Sequence, residues 1–391
     1  MASKVKRIGV LTSGGDAPGM NAAVRAVVRT CMYEGIECVG IKRGWNGLIN
    51  ADFTLMTGKD VAHIINRGGT VLYTARSDEF RTKEGRAKAY STCELLGLDS
   101  IIAIGGDGTF AGCLAFSSEY PISVVGIPGT IDNDIGCSQY SIGFDTAANT
   151  AVEAIDKVRD TMQSHERCSV IEVMGHRSGN LAQYVGIATG ANAVLVPETP
   201  WDFDKDVAEK LREARLAGRT HFMVIVAEGA KQKVDGTADN EIVGNGGAAT
   251  QVASMIKERL GMDPRVTVLG HTQRGGSPTA RDRVNASSMA YYAVELIKNG
   301  ANNRVVRMWD GKVCDIDMAE GLKMKAKLST EEQSVLKAMT GSYLSKEPTA
   351  EEMSEEELKE KIRSEIEAEL RVQLRSEIEA QVRAEIAEEK K

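Results

Sequence analysis

The chain has few aromatic residues, only 5% of its 391 positions, and its seven cysteines include no Cys-x-x-Cys pair. The low aromatic content predicts an aliphatic core, and the cysteine spacing argues against a cysteine-held metal site. No apolar run approaches the roughly 18 residues needed to span a bilayer, and the N-terminus lacks the apolar region of a signal peptide. Because cysteines in apolar contexts are typical of reduced thiols, we expect a cytoplasmic protein without a membrane partner.

The net charge of −7 is unevenly distributed along the chain. Residues 351–391 carry 14 Glu and 8 Lys or Arg, a net charge of −6, which leaves −1 for the other 350 residues. A nearly neutral body gives no support for nucleic-acid binding, so no nucleic-acid partner is expected. A locally basic pocket for an anionic metabolite remains compatible with this balance.

The C-terminal residues 346–391 have a composition of their own. Glycine and proline are absent from Glu351 onward, and the hexapeptide at 363–368 recurs at 375–380. Large apolar residues stand four apart from 358 to 386. This spacing drifts by about 40° per step around a helix, so it is not a left-handed heptad seam. We predict a charged helical tail, which is either a solvated helix or an assembly contact.

Glycine is abundant, with 39 residues, as expected for a protein with many tight strand-to-helix turns. Continuous apolar runs predict buried strands at Arg7–Thr12, Glu37–Ile41, Ser100–Ile104, Ser123–Ile127, Cys168–Met174, Ala193–Val196, His221–Ala227 and Val266–Gly270. Helical patterns lie between them at Met20–Glu34, Thr146–Thr161, Asp204–Ala217, Gly247–Leu260 and Arg281–Lys298. The alternation predicts an α/β fold with mostly parallel sheets, whose ligands bind beyond the carboxyl ends of the strands.

Two glycine turns follow predicted strands and end in acidic and hydroxyl side chains. The first, Gly105-Gly-Asp-Gly-Thr109, favours a phosphate and magnesium site, because glycine lets the backbone approach a phosphate and Asp107 can hold the cation. The alternative is a helix N-cap in which Asp107 or Thr109 bonds backbone amides. The missing side chain at Gly108 leaves room for a bulky group and favours the phosphate site. A third turn, Thr12-Ser-Gly-Gly-Asp16, is a weaker signal of the same kind.

The second turn, Pro128-Gly-Thr-Ile-Asp-Asn-Asp134, carries two carboxylates. They offer a base for an attacking hydroxyl and a second carboxylate beside it, and their mutual repulsion predicts that the pKa of one is tuned. The alternative is an Asx-rich turn that satisfies its own backbone, which explains one Asp better than two. Together the turns indicate phosphoryl transfer from a nucleotide to a small hydroxyl compound.

Over roughly residues 5–325 the chain resembles the bacterial-type ATP-dependent 6-phosphofructokinase family. The resemblance rests on the two turns above and on four further motifs: Gly9–Asn21, Asn66-Arg-Gly-Gly-Thr70, Glu172-Val-Met-Gly175 and Val268–Pro278. It implies transfer of the γ-phosphoryl group of ATP to the 1-hydroxyl of fructose 6-phosphate, with Mg²⁺ as the cofactor. It also implies two Rossmann-like three-layer domains with mostly parallel sheets and a homotetramer whose sites are shared between subunits.

The resemblance further implies the domain boundaries and the site residues. Residues 1–143 with 273–322 correspond to an ATP-binding domain, 144–272 with 323–345 to a fructose 6-phosphate-binding domain, and 346–391 to the charged tail. Asp132 matches the general base, Thr130, Asp134 and Arg76 assist catalysis, and Asp107 matches the magnesium-associated residue. The nucleotide contacts are Gly15, Arg76, Ser77, Gly106, Asp107, Gly108 and Thr109. The substrate contacts are Thr130, Ile131, Asp132, Met174, Gly175, His176, Glu228, His271 and Arg274, with Arg167 and Arg265 reaching in from a neighbouring subunit.

The phosphoryl donor is indicated by two glycines. Members of the family that use pyrophosphate carry Asp at the position of Gly108 and Lys at the position of Gly129, so the resemblance favours ATP. The pyrophosphate-dependent enzyme is the nearer alternative. NAD kinases and lipid kinases share the Gly-Gly-Asp-Gly turn but lack the segments 128–134 and 271–278.

The sequence departs from the family pattern in three places. His176 stands where Arg usually follows Met-Gly, which motivates the alternative of an inactive assembly subunit. An effector site is implied at Arg25, Arg29, Arg159, Arg219 and His221, but Asn192, Gly58 and His63 replace a Glu, an Arg and an Asp of that site. Residues 229–246 are longer and richer in glycine than in compact bacterial members.

Overall fold

The computed structural model describes residues 5–234, 237–240, 247–341 and 363. The chain up to Gly341 forms one compact unit, which contains two parallel-rich sheets and a small hairpin. Most of its buried side chains are aliphatic, as the composition predicts. The helical tail predicted for 346–391 lies outside the described residues except for Arg363, and the division into two domains stays a prediction.

The larger sheet has seven strands in the order β13-β12-β5-β4-β1-β2-β3. Their bounds are β1 Arg7–Thr12, β2 Glu37–Ile41, β3 Phe53–Met56, β4 Ser100–Gly105, β5 Ser123–Pro128, β12 Arg304–Trp309 and β13 Lys312–Asp317. The two edge strands, β3 and β13, pair antiparallel with their neighbours, and the five inner strands pair in parallel. This arrangement confirms the predicted mostly parallel sheet.

The smaller sheet has four parallel strands in the order β11-β6-β8-β7. Their bounds are β6 Cys168–Val173, β7 Ala193–Leu195, β8 Phe222–Ala227 and β11 Arg265–Val268, and a separate hairpin joins β9 Gln232–Val234 to β10 Thr237–Asn240. β11 ends at Val268 rather than at the predicted Gly270. Gly270 has a φ of +50°, which no strand residue adopts, and it begins a 3₁₀ turn, Gly270–Arg274.

Eleven α-helices are found among the described residues. They are α1 Met20–Glu34, α2 Trp45–Ile49, α3 Lys83–Leu96, α4 Asp107–Glu119, α5 Phe144–Ser164, α6 Asn180–Thr189, α7 Glu209–Leu216, α8 Gly247–Leu260, α9 Ala280–Lys298, α10 Met318–Lys323 and α11 Thr330–Met339. A π-helical turn, Asp204–Ala208, replaces the first five residues of the helix predicted at Asp204–Ala217. Within the described ranges, no helix is both long enough and apolar enough to cross a membrane.

The large sheet is the middle of three layers. Ile101 and Ala103 of β4 belong to a buried cluster with Trp45 of α2 and Phe110 of α4. The alternate residues of β4 are equally buried, and α9 packs on β4 from that other face. Helices α5, α6 and α8 pack against the smaller sheet. These layers place every predicted glycine turn at the carboxyl end of a parallel strand.

Asp282 of α9 connects the helices of the two sheets. Its fully buried carboxylate accepts hydrogen bonds from the Tyr140 hydroxyl at 2.5 Å, the Gly143 amide at 2.7 Å and the Thr146 amide at 2.8 Å. The two amides belong to the first turn of α5, whose N–H groups have no partner within the helix. An acidic side chain of one helix therefore caps the N-terminus of another.

We expect Asp282→Asn to lower the free energy of unfolding by about 2 kcal/mol. The side-chain NH₂ group of the new Asn would face main-chain N–H groups, which are also donors. A buried donor without an acceptor costs about 1–3 kcal/mol. Urea unfolding followed by circular dichroism measures the change. Asp160→Asn, on the exposed face of α5, is the control and should change it by less than about 0.5 kcal/mol. Equal unfolding midpoints for the two variants would contradict this role.

Candidate active site

One cavity of about 860 Å³ lies at the carboxyl ends of strands from both sheets. The predicted site residues that line it are Gly15, Arg76, Ser77, Gly106, Asp107, Gly108, Thr109, Thr130, Asp132, Asp134, Met174, His176, Glu228, His271 and Arg274. Ile131 is fully buried behind the wall of the cavity, and Gly175 lies between two lining residues without lining it. The structure therefore brings together residues that are up to 260 positions apart in the chain.

In the glycine turn after β1, a side chain at Gly15 would have to displace the guanidinium of Arg274. A Cβ there would lie 2.8 Å from Nη1 of Arg274, the same atom that donates to the Asp16 carbonyl at 3.0 Å. The turn is held by two hydroxyls: Thr109 Oγ1 donates to the Ser13 carbonyl at 3.2 Å, and Thr74 Oγ1 to the Gly14 carbonyl at 2.8 Å. Arg274 thus joins the turn of the large sheet to the segment that follows the small sheet.

The turn after β4 is open to the cavity. Gly106 is the N-cap of α4, and no side chain caps this helix, so the N-cap interpretation of Asp107 and Thr109 is wrong. A Cβ at Gly106 or at Gly108 would meet no atom within 4 Å. The backbone at the N-terminus of α4 therefore borders open space, as a phosphate bound at a helix N-terminus requires.

The turn after β5 presents the two carboxylates. Oδ1 of Asp132 is buried and has no hydrogen-bond partner among the described residues. Burial, and then the charge of Asp134, raise the pKa of Asp132 to about 6, although Arg274 opposes the rise. Burial also raises the pKa of Asp134, partly offset by its own backbone N–H and by His176. Since a buried acceptor normally has a partner, Asp132 is suited to bind a hydroxyl of a ligand.

The segments after the small sheet form the opposite wall. Gln273 Oε1 accepts the Met174 amide at 2.9 Å, and Glu228 Oε1 accepts the His176 amide at 2.7 Å. His176 has a φ of +53°, a conformation uncommon outside glycine. A positive charge on His176 lowers the pKa of both Asp132 and Asp134. The wall therefore places His176 and the Arg274 guanidinium opposite the carboxylates.

One arm of the cavity was not found from the sequence. It is lined by Trp45, Phe80, Arg81, Arg86, Ala111, Gly112 and Ala115. The indole of Trp45 stacks on Phe80 at 4.1 Å between centroids and 9° between planes, and Arg86 pairs with Glu119 at 2.6 Å. Helical spacing could have indicated part of it, since Ala111 and Ala115 lie four and eight residues after Asp107 on one face of α4.

Arg167 and Arg265 do not reach this cavity within one chain. Arg167 directly precedes β6, and Arg265 begins β11, where it pairs with Ser169. The cavity lies at the other end of these strands, and a six-residue strand spans roughly 20 Å. Arg265 is exposed to solvent. Both arginines are thus placed where another subunit could meet them.

The predicted effector residues do not share one cavity in a single chain. Arg25 and Arg29 line a second cavity of about 360 Å³ together with Gly58, His63 and neighbouring residues. Arg159 instead donates to the Thr189 carbonyl. Nδ1 of His221 is buried without a partner among the described residues. The effector site stays a prediction.

The residues of the main cavity fit a magnesium ion that arrives with a nucleotide. In the described part of the chain, no three His, Cys, Asp or Glu side chains form a metal-binding group. Burial and the charge of Asp134 raise the pKa of Asp107 to about 6, so a cation would relieve the repulsion between these carboxylates. Mg²⁺ usually takes one or two carboxylates and completes its shell with phosphate oxygens and water.

Comparison with known proteins identifies the family. The Phosphofructokinase family model matches residues 7–297. An ATP-dependent 6-phosphofructokinase of Halothermothrix orenii is 49% identical over 318 residues, which are 81% of this chain and 94% of that protein.

Two solved structures share the fold. Phosphofructokinase of Saccharomyces cerevisiae has a TM-score of 0.75 at 33% identity; the match covers 86% of this chain but only 47% of the yeast chain. A pyrophosphate-dependent phosphofructokinase of Marinobacter aquaeolei has a TM-score of 0.73 at 19% identity. The match covers 87% of this chain and 93% of the Marinobacter chain, and it supports the fold alone. On the family match and the closely related bacterial sequence, this chain belongs to the phosphofructokinase family.

Proposed function

We propose that this protein is an ATP-dependent 6-phosphofructokinase of glycolysis, which converts fructose 6-phosphate and ATP into fructose 1,6-bisphosphate and ADP. The observation that carries the proposal is the unpartnered, buried Oδ1 of Asp132. It lies in one cavity between the glycine turns on one side and the wall of His176, His271 and Arg274 on the other. A base is thus held between a phosphate-binding region and a region suited to a sugar phosphate.

In this reaction the carboxylate of Asp132 accepts the proton of the sugar 1-hydroxyl. The freed oxygen forms a bond to the γ-phosphorus of ATP as the bond to the bridging β,γ-oxygen breaks, and ADP leaves. Thr130 and Asp134 lie on the same turn as Asp132 and assist it. Arg76 and the N–H groups of the glycine turns offset the charge on the transferred group, as positioned donors do in phosphoryl transfer.

The nucleotide and its cation share one part of the cavity in this proposal. Gly15, Ser77 and Gly106 through Thr109 surround the phosphates, and the Trp45–Phe80 stack lines the arm beyond them. Asp107 would hold Mg²⁺ against the phosphates. When bound, this ion neutralises charge on the β- and γ-phosphates.

The sugar phosphate site draws on a second subunit in this proposal. Met174, Glu228, His271 and Arg274 contact the sugar, and Arg167 and Arg265 of a neighbouring chain bind its 6-phosphate. An arginine fork suits a phosphate because it donates two parallel hydrogen bonds. The position of both arginines away from their own cavity supports sites shared between subunits, and we propose a cytoplasmic homotetramer.

ATP is the proposed donor on the evidence of two glycines. A side chain at Gly108 would extend into the open cavity, where an aspartate would repel a triphosphate. A Cβ at Gly129 would lie 3.0 Å from Cγ2 of Ile104 and 3.3 Å from Cε of Met20, so a lysine there would have to displace these side chains. A coupled assay of the purified protein with fructose 6-phosphate, first with ATP and then with pyrophosphate, tests the assignment. Turnover with pyrophosphate alone would overturn it.

We expect kcat/KM for fructose 6-phosphate to fall on the acid side of about pH 6. Asp132 accepts a proton only when it is ionised, and burial together with Asp134 raises its pKa to about 6. Activity is therefore lost as the pH falls through that value. Initial rates measured across this range, with the sugar below saturation, give the profile.

The control separates Asp132 from the substrate, because a phosphate monoester also titrates near pH 6. Asp134→Asn removes a negative charge that raises the pKa of Asp132. The fall in kcat/KM on the acid side, the acid limb of the profile, should therefore move to lower pH. The substrate phosphate is the same in both assays. A limb that stays in place in the variant would mean that Asp132 does not control it.

A further inference from the structure

Asn133 separates the two carboxylates and holds their turn from within. Its φ is +47°, a left-handed conformation that Asn tolerates better than most residues. Its Oδ1 accepts the amide of Ser141 at 2.9 Å, and the fully buried hydroxyl of Ser141 donates to the Thr130 carbonyl at 2.7 Å. Ser141 therefore ties both ends of the turn to the segment that leads into α5.

The turn is also held from the other half of the molecule. Nδ2 of Asn180 donates to the main-chain carbonyl of Asn133 at 2.8 Å. Asn180 is the first residue of α6 and is 9% exposed. Its main-chain N–H donates to Ser178 Oγ at 3.2 Å. Because α6 follows the turn that carries His176, this bond connects the small-sheet wall of the cavity to the carboxylates.

The bonded carbonyl belongs to the peptide between Asn133 and Asp134. A peptide unit is planar and includes the Cα atom of the residue that follows its carbonyl. A hydrogen bond from Asn180 to this carbonyl therefore also fixes the Cα of Asp134, from which the carboxylate projects.

We propose that Asn180 is a positioning residue, which holds the 133–134 peptide plane and thereby sets Asp134 beside Asp132 for phosphoryl transfer. The proposal rests on the function proposed above. Asn180 does not line the cavity, so it acts through the turn rather than by touching a substrate. Its effect should therefore appear in kcat and leave the binding of both substrates unchanged.

The test compares Asn180→Ala with a control from the same helix. Gln183, 1% exposed, donates from Nε2 to Glu332 Oε2 at 3.0 Å, so Gln183→Ala also removes a side-chain hydrogen bond from α6, but one that does not involve the 133–134 peptide. We expect Asn180→Ala to lower kcat about tenfold, with KM for ATP and fructose 6-phosphate within about twofold, and Gln183→Ala to leave kcat unchanged. Asn180→Asp, which keeps the shape but cannot donate, should lower kcat at least as much.

A double-mutant cycle shows whether the effect passes through Asp134. In an Asp134→Asn background, Asn180→Ala should lower kcat by less than about twofold, because the carboxylate that it positions is gone. A normal kcat in Asn180→Ala, an equal loss in Gln183→Ala, or the full tenfold loss in the Asp134→Asn background would each overturn the positioning role. If the wild type is an active phosphofructokinase in those cases, the proposed function still holds and only the positioning role fails. A wild type without phosphofructokinase turnover overturns both.

Discussion

Asp132→Asn lowers kcat by about 10²–10⁴-fold and leaves KM for fructose 6-phosphate little changed, if Asp132 is the general base. The amide has the size of the carboxylate and can still bond the sugar hydroxyl, but it cannot accept the proton. The loss should therefore fall on the chemical step. Steady-state kinetics measure the change in kcat and KM, first with ATP varied at fixed fructose 6-phosphate and then with fructose 6-phosphate varied at fixed ATP.

Two comparisons sharpen this experiment. Asp160→Asn makes the same chemical change on the exposed face of α5 and should leave kcat unchanged. Asp132→Asn should also remove the part of the fall in rate near pH 6 that comes from Asp132, because that titrating group is gone. A variant with a kcat near that of the wild type would remove Asp132 from this role.

Gly108→Asp lowers kcat/KM for ATP roughly 10²-fold relative to Gly108→Asn. Two unit charges about 5 Å apart at an effective dielectric constant of about 20 repel by about 3 kcal/mol, and a triphosphate beside the new carboxylate would meet a repulsion of this order. The fold should tolerate the change, since a Cβ at Gly108 meets no atom within 4 Å and an acidic residue is favourable in the first turn of α4.

Each control removes one explanation for the loss. Gly108→Asn has the shape of the aspartate without its charge, so the ratio of the two variants isolates electrostatic repulsion from lost space. Gly108→Ala adds only the Cβ and should stay close to the wild type. Equal kcat/KM values for the Asp and Asn variants would show that the phosphates do not pass Gly108.

Strand positions were predictable wherever burial alone determines them. β1 and β2 begin and end at the predicted residues, because strands covered on both faces are continuous apolar runs with sharp ends. Strands β3, β12 and β13 were missed, since each is only partly buried and its sequence carries a weaker apolar pattern. The end of β11 was predicted two residues too late, because apolar residues and glycine continue into the 3₁₀ turn.

Site residues were predictable where the chemistry is local. Asp107, Asp132 and Asp134 stand beside glycine turns, and the structure places all three in one cavity. The Trp45–Phe80 stack and the Asn180 bond depend on residues 35 and 47 positions apart. No local pattern marks such pairs, because each residue alone resembles an ordinary buried aromatic or a helix start.

The amino-acid sequence by itself determined which segments form all the parallel strands except β12, which strands end in a glycine turn, and which carboxylates stand in those turns. These features follow from hydrophobic runs and from backbone conformations that few residues adopt. Only the tertiary structure decided how the turns of two sheets converge on one cavity. It also decided which acceptor stays unpaired there and that Asp282 and Asn180 hold the two halves together. Burial raises the pKa of Asp132, and burial is a property of the packed chain, not of the residue.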